Sequence, residues 1–207
     1  MGANNDSPLH FFLYICGMKI LICDNIEELG EDFVEWSMGV LPEWRKEQML
    51  KIKHLRGKIQ CAVAYLMACD FDQSLPWRYN EHGKPYYADR DDLFFSISHC
   101  KSAVAVAIDD EEVGVDIEEV GRYRESLEKY VLSDDECRDK ACLVRTGRAN
   151  NAEAFIEIWT QKEAVFKLLG TGITHEIKDI LTKYDGNLYT WKLGDKVLTV
   201  ATRKDLA

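Results

Sequence analysis

Val113-Gly114-Val115-Asp116-Ile117-Glu118 decides how this chain reads. As a β-strand it sends Val113, Val115 and Ile117 to one face and Asp116 and Glu118 to the other, because successive side chains alternate. The first set belongs in a core. The second sets two carboxylates side by side, where they repel unless a cation lies between them. Hard oxygen ligands held on a rigid strand suit magnesium. On these two acids alone, a solvated acidic strand end is the better reading in a chain with 36 Asp and Glu residues.

Just upstream, residues 93–98 and 103–108 read as strands, and 109–112 is an acidic connection into Val113. In Phe94-Phe95-Ser96-Ile97-Ser98-His99-Cys100, Ser96 and Ser98 share one face, opposite Phe95 and Ile97. His99 falls at the strand's end, where it either hydrogen-bonds a phosphate or simply packs. Ser98 and His99 are strand neighbours that point apart, a poor nucleophile pair.

Downstream, a long helix is expected over residues 152–169, stopped by Gly170. It contains Trp159-Thr160-Gln161-Lys162-Glu163-Ala164-Val165-Phe166-Lys167. Glu163 and Lys167 share a helix face, while Phe155, Trp159 and Phe166 anchor others. Glu163 would add a third carboxylate to Asp116 and Glu118. Lys167 would sit over a phosphate or an attacking oxygen. Taken alone, an ordinary surface ion pair worth roughly a few tenths of a kcal/mol is again the better reading.

Further out the pattern is mixed. Residues 19–23 read as a first strand, 42–53 as a helix opened by Pro42, and 56–68 as a second helix. Residues 80–85 read as a loop. Ser133-Asp134-Asp135-Glu136 has the form of a capping box. Residues 147–151 read as a polar loop. Gly194-Asp195 joins strands 189–193 and 196–201 in a type II′ hairpin. Arg45, Lys46, Lys51, Lys53, Arg56 and Lys58 crowd a short stretch whose one acid is Glu47. This is either a local anion site or a solvated helix face. Lys84, in a stiff Gly-Lys-Pro loop, is a further candidate.

Composition bounds the answer. The 207 residues are 46% hydrophobic and 30% charged, an ordinary globular balance. The net charge of −10 argues against broad nucleic-acid binding. No apolar run reaches the length of a membrane helix, and no basic n-region precedes the apolar residues 9–15. Cys16, Cys23, Cys61, Cys69, Cys100, Cys137 and Cys142 form no C-x-x-C pair, so reduced thiols are expected.

Taken together, four motifs stand in order: Gly83-Lys84-Pro85; Phe95-Ser96-Ile97-Ser98-His99; Val113 to Glu118; and Trp159 to Ala164 with Lys167. This set closely resembles that of the 4′-phosphopantetheinyl transferase superfamily, of the larger, surfactin-synthetase-activating (Sfp) type. Four motifs at compatible spacing are specific. The resemblance implies an α+β fold of two similar halves related by a pseudo-twofold, with the active site between them. The halves would be residues 18–112, which bind coenzyme A, and 113–207, which carry the magnesium and catalytic residues. Residues 1–17 would be an N-terminal extension.

The same resemblance implies transfer of 4′-phosphopantetheine from coenzyme A to a serine of an apo-acyl or peptidyl carrier protein, releasing 3′,5′-ADP. It implies Asp116, Glu118 and Glu163 as magnesium ligands and Lys167 as a catalytic residue. Ser98 and His99 would contact the coenzyme's phosphates, with His99 also stabilising developing charge. Lys84 would contact the coenzyme. Arg45 first, then Lys53 and Lys58, would hold its 3′-phosphate. Glu163 is the candidate base for the serine proton, with Lys167 as its rival. Cys100 stands where serine is usual. Gly57-Lys58-Ile59-Gln60-Cys61 replaces the paired arginines often seen, which leaves individual coenzyme contacts open there. A cytoplasmic monomer is expected, with no nucleic-acid or membrane partner. The alternatives are a magnesium-dependent phosphohydrolase, a homologue that binds coenzyme A or carrier protein without turnover, and an adaptor whose acids are merely surface.

Overall fold

The computed structural model describes residues 11–15, 17–69 and 75–205. The chain opens with β1 (Phe11–Ile15) and β2 (Met18–Cys23), followed by α1 (Glu31–Val40), α2 (Glu43–Leu50) and α3 (Leu55–Ala68). A short hairpin, β3 (Trp77–Tyr79) with β4 (Pro85–Tyr87), leads to β5 (Phe94–His99) and β6 (Val104–Asp109). These strands make an antiparallel sheet of order β1-β2-β6-β5. Alternation gives it two apolar faces. Leu21, Cys23, Phe95, Val104 and Val106 pack on Ile59, Val63 and Met67 of α3. Met18, Ile20, Ile22, Ala105 and Ala107 turn the other way.

That second face meets a second sheet. It starts with β7 (Val113–Glu119) and has the order β7-β9-β8, with β8 (Asn187–Leu193) and β9 (Lys196–Thr202). Val113, Val115, Ile117, Leu198 and Val200 close the core between the sheets. Between β7 and β8 lie α4 (Glu125–Val131), α5 (Asp134–Arg145), α6 (Asn151–Leu169) and α7 (Ile180–Lys183). The long α6 covers the outer face of β7 and β9. Helices and antiparallel sheets in separate layers make this an α+β fold.

Three local features set α6 against β7. An Asn150–Glu153 capping box starts the helix, and Gly170 ends it in the left-handed region at φ 67°. Gly114 faces the helix backbone, where a Cβ would fall 2.0 Å from the Ala164 carbonyl oxygen. Only glycine lets the two backbones come this close. The fully buried Lys162 pairs with Glu136 of α5 at 2.8 Å and donates to the Ile177 and Lys178 carbonyls at 2.6 and 3.0 Å.

β7 is an edge strand, so alternate N–H groups would lack a ladder partner. Ser96 and Ser98 of β5 take that place. Their hydroxyls accept from the Val115 N–H at 3.0 Å and the Ile117 N–H at 3.2 Å. The two serines therefore join the sheets side by side.

Most expected elements are present, with differences at their edges. α2 stops at Leu50 rather than running to Lys53, and Lys51 caps it. Pro85, expected in a loop, begins β4 and pairs with Tyr79. Gly194 takes φ 62° while Asp195 keeps a negative φ, as type II′ requires and type I′ does not. Both bonds of the Ser133–Glu136 capping box are made. Of the expected N-terminal extension, residues 1–10 and 16 lie outside the described residues, and 11–15 pair with β2. Cys16 lies outside them too, and Cys61, Cys100, Cys137 and Cys142 carry free thiols. No helix among the described residues is long and apolar enough to cross a membrane.

Candidate active site at the seam of the sheets

Gly114, Asp116 and Glu118 leave β7 on the face turned to α6. Asp116 is buried. Its Oδ1 accepts from the Ser98 hydroxyl at 2.7 Å and from Lys167 Nζ at 2.5 Å. Lys167 Nζ also donates to Ser98 Oγ at 2.7 Å, so Ser98, Asp116 and Lys167 form a closed triangle. The other carboxylate oxygen, Oδ2, is buried with no hydrogen-bond partner among the described residues. Glu118 is held by Arg122, whose Nη1 donates to its two oxygens at 3.0 and 3.1 Å.

Glu163 lies one helical turn before Lys167. Burial pushes its carboxyl up to about 7, helped by the charges of Asp116 and Glu118 and opposed by Lys167. Burial, with the charge of Asp116 behind it, raises Glu118 as well, against Arg122. His99 stands at the end of β5. Its side chain is exposed, but desolvation by the chain around it and the Lys167 ammonium hold its imidazole below the usual histidine range. The three acids thus share one electrostatic field that is short of positive charge.

Among the described residues, no three His, Cys, Asp or Glu side chains already stand at metal-holding separations. Lys167 and Arg122 hold two of the acids instead. The donor chemistry still fits a hard divalent cation: three carboxylates, one of them with an orphaned buried oxygen and one held largely protonated below neutrality.

Two cavities meet here. The smaller, about 240 Å³, is lined by Glu163, Phe166, Lys167, Ser96 and Lys84 among others. The larger, about 520 Å³, is lined by Arg45, His54, Gln60, Trp77, Tyr79 and His99 among others. Pro85 and Ile97 belong to both walls.

The fold brings Ser98, His99, Asp116, Glu118, Glu163 and Lys167 to one place. Lys84 reaches the smaller cavity, but its ammonium is bonded to Glu112 and to the Leu168 carbonyl, the latter at 2.8 Å. Arg45 reaches the larger cavity as a buried cation. Its guanidinium donates to Gln48 at 2.9 Å, the Tyr79 hydroxyl at 3.1 Å and the Cys61 carbonyl at 2.8 Å, and lies 4.8 Å over the Trp77 ring. Lys53 is exposed and Lys58 half-buried, and neither lines these two cavities.

Sequence reasoning missed Arg122, His54, Gln60, Trp77 and Tyr79. Arg122 carried a signal, since it follows Glu118 by four residues. His54 accepts the Gly57 N–H at 3.1 Å as the cap of α3, a role its sequence position does not reveal.

Fold and site together define an α+β protein with a carboxylate–lysine centre beside two cavities at the junction of two sheets. Residues 112–193, which hold two of the four motifs (Val113 to Glu118 and Trp159 to Lys167), match the model of the 4′-phosphopantetheinyl transferase superfamily, in agreement with the superfamily resemblance read from the sequence. The chain is similar to 4′-phosphopantetheinyl transferase psf-1 of Bacillus pumilus, 32% identical over 103 residues, which is 49% of this chain and 42% of that one. It is 31% identical over 94 residues to 4′-phosphopantetheinyl transferase Sfp of Bacillus subtilis (strain 168), 45% and 41% of the two chains. It is 32% identical over 111 residues to 4′-phosphopantetheinyl transferase AcpT of Escherichia coli (strain K12), 53% and 56% of the two chains. The matched stretch thus spans about half the length of these curated relatives.

Proposed function

We propose that this chain is a magnesium-dependent 4′-phosphopantetheinyl transferase that moves phosphopantetheine from coenzyme A to a serine of an apo-acyl or peptidyl carrier protein. The observation that carries the reading is the approach of Lys167 and Glu163 of α6 to Asp116 of β7, beside His99, where two cavities meet.

In this reading the larger cavity takes the nucleotide end of coenzyme A. Tyr79, exposed on the cavity wall, offers a ring to a base, while Trp77, stacked on Phe95 and covered by Arg45, backs that wall. Arg45 brings positive charge toward the 3′-phosphate, with Lys58 and Lys53 nearer solvent. Ser98 and His99 meet the diphosphate, and Lys84 borders it. Asp116, Glu118 and Glu163 would hold magnesium, which when bound neutralises diphosphate charge and polarises the phosphorus toward attack. The serine oxygen bonds to the β-phosphorus, the bond to the leaving 3′,5′-ADP breaks, and the serine proton goes to the enzyme. Glu163, one helical turn before Lys167 on the wall of the smaller cavity, is the candidate to take that proton. Lys167, anchored on Asp116 as an ammonium, serves as a donor to the phosphoryl oxygens, which favours Glu163 as the base. The 110–112 connection would divide halves 18–112 and 113–207, each with three strands of a main sheet and one long helix, the first half adding the β3–β4 hairpin, in keeping with a pseudo-twofold. A cytoplasmic monomer suits this chemistry.

Incubation of the full chain with coenzyme A, magnesium and a panel of apo-carrier proteins, read by intact mass, tests the proposal. One carrier should gain a single phosphopantetheine, and Asp116→Ala should abolish the gain while leaving the circular dichroism unchanged. Phosphate release without carrier modification would move the reading to a phosphohydrolase. Near-normal transfer by the variant would remove Asp116 from the site.

A further inference from the structure

The β3–β4 hairpin reaches from the first sheet's side of the molecule to the end of α6 and grips it. Asn80 Nδ2 donates to the Gly170 carbonyl at 3.1 Å, and Lys84 Nζ donates to the Leu168 carbonyl at 2.8 Å. Lys84 also pairs with Glu112, in the connection between the two sheets. Carbonyls at a helix's end lack intrahelical partners, and an ammonium there also meets the negative end of the helix dipole.

Asn80 holds two things at once. Its Oδ1 accepts from the His82 N–H at 2.9 Å and the Lys84 N–H at 2.8 Å, which fixes the turn. Its Nδ2 is left to hold α6. Gly170 completes the fit. Besides its φ of 67°, a Cβ on it would stand 2.9 Å from Lys84 Cδ and 3.1 Å from Asn80 Nδ2. The same hairpin walls both cavities, through Lys84 on one side, Trp77 and Tyr79 on the other, and Pro85 on both. The gripped helix end carries Lys167 in its last turn and Glu163 one turn earlier.

We propose that Asn80 and Lys84 are positioning residues: they clamp the hairpin to the C-terminal turn of α6 and so fix the larger cavity's wall relative to Glu163 and Lys167. Their effect on turnover rests on the reaction proposed above, whereas the clamp itself does not. Lys84 then acts through α6 and not as a coenzyme ligand. Its side chain is only 16% exposed, and its ammonium already serves a carboxylate and a carbonyl.

Two substitutions separate these roles. Asn80→Asp keeps the Oδ1 acceptor that builds the turn and loses the donor to Gly170. Lys84→Met keeps the stem and loses the ammonium. Backbone hydrogen exchange over residues 163–170 is measured in coenzyme-free protein, alongside coenzyme A affinity by calorimetry and the kcat and KM of transfer. Each variant should speed exchange in the last turn of α6 by about tenfold, the scale of a local opening. Each should lower kcat about tenfold through misplacement of Glu163 and Lys167, with coenzyme affinity within about twofold. Because the two bonds act on one helix end, the double variant should fall well short of the product of the single effects. Unchanged exchange in Asn80→Asp would overturn the clamp. So would a Lys84→Met variant that loses coenzyme affinity about tenfold with exchange and kcat unchanged, since that is the signature of a ligand. If the wild-type chain transfers nothing, the reaction falls, while the exchange measurements still decide the clamp.

Discussion

Glu163 is a carboxyl caught between burial and two other acids, and its titration is open to measurement without substrate. In the folded chain it titrates at about 7, against an ordinary value of 4.5. Between those pH values the folded protein keeps a proton that the unfolded chain releases. The associated stability is therefore fully present below about 4.5 and lost as the pH rises through about 7. A shift of this size corresponds to at most roughly 3 kcal/mol. Denaturant titrations of metal-free protein should show stability falling from about pH 5 to about pH 8. Glu163→Gln, which removes the titrating group, should flatten that fall. Magnesium should restore the wild type at the alkaline end and leave the variant nearly unmoved. Equal slopes for the two proteins would show that Glu163 is not the strained group. This pairing was only half legible in the sequence. Strand alternation put Asp116 and Glu118 on one face, and helical spacing put Glu163 with Lys167. Nothing local says that the helix lies across the strand. Arg122 on Glu118, the Ser98–Lys167 bond and the residues of the larger cavity all depend on that tertiary arrangement.

At the scale of elements, α6 on β7 is the contact that matters, and Gly114 sets its closeness. A methyl there would meet the Ala164 carbonyl oxygen at 2.0 Å and the Leu168 nitrogen at 2.5 Å, both backbone atoms inside a helix that cannot turn aside. Gly114→Ala should cost at least about 1–3 kcal/mol, the range for overpacking a close-packed interior. Gly121, with open space around its Cβ position, is the control, and Gly121→Ala should stay within about 0.5 kcal/mol. Thermal melts of the two variants decide the point, and a Gly114→Ala protein as stable as wild type would mean that the helix and strand are not this close. Sequence reading found α3 and α6, which are long and largely buried, and the strands around Asp116, which are apolar runs bounded by turns. It did not anticipate α1 or α4, which present mostly polar or exposed surface, nor the β3–β4 hairpin. Three-residue strands give alternation no length over which to show. Residues 80–85 were legible as a turn from Gly83 and Pro85, but the grip of Asn80 on α6 has no local signal.

The whole molecule is two sheet-and-helix layers joined at β5 and β7 by serine hydroxyls in place of a continuous ladder. Ser96 is buried, and its hydroxyl satisfies the Val115 N–H at 3.0 Å. Removing it leaves a buried N–H without a partner, a loss of about 1–3 kcal/mol. It does so without touching Asp116, which Ser98 serves. If this seam couples the layers, the first layer, reported by Trp44 and Trp77, and the second layer, whose α6 carries Trp159 and whose β8 carries Trp191, should unfold at one denaturant midpoint. Ser96→Ala should lower both midpoints together by the same amount, because a bond across the seam stabilises neither layer alone. Single-tryptophan variants reporting each core separately make the comparison. Two midpoints already in the wild type, or a Ser96→Ala shift seen by one pair of tryptophans and not the other, would mean that the sheets are held together by the apolar face between them and that the serines merely fill an edge. In that case a site built from both layers would owe its alignment to the packing of Met18, Ile20 and Ala107 against Val115 and Leu198, and Ile20→Ala would disturb it more than Ser96→Ala.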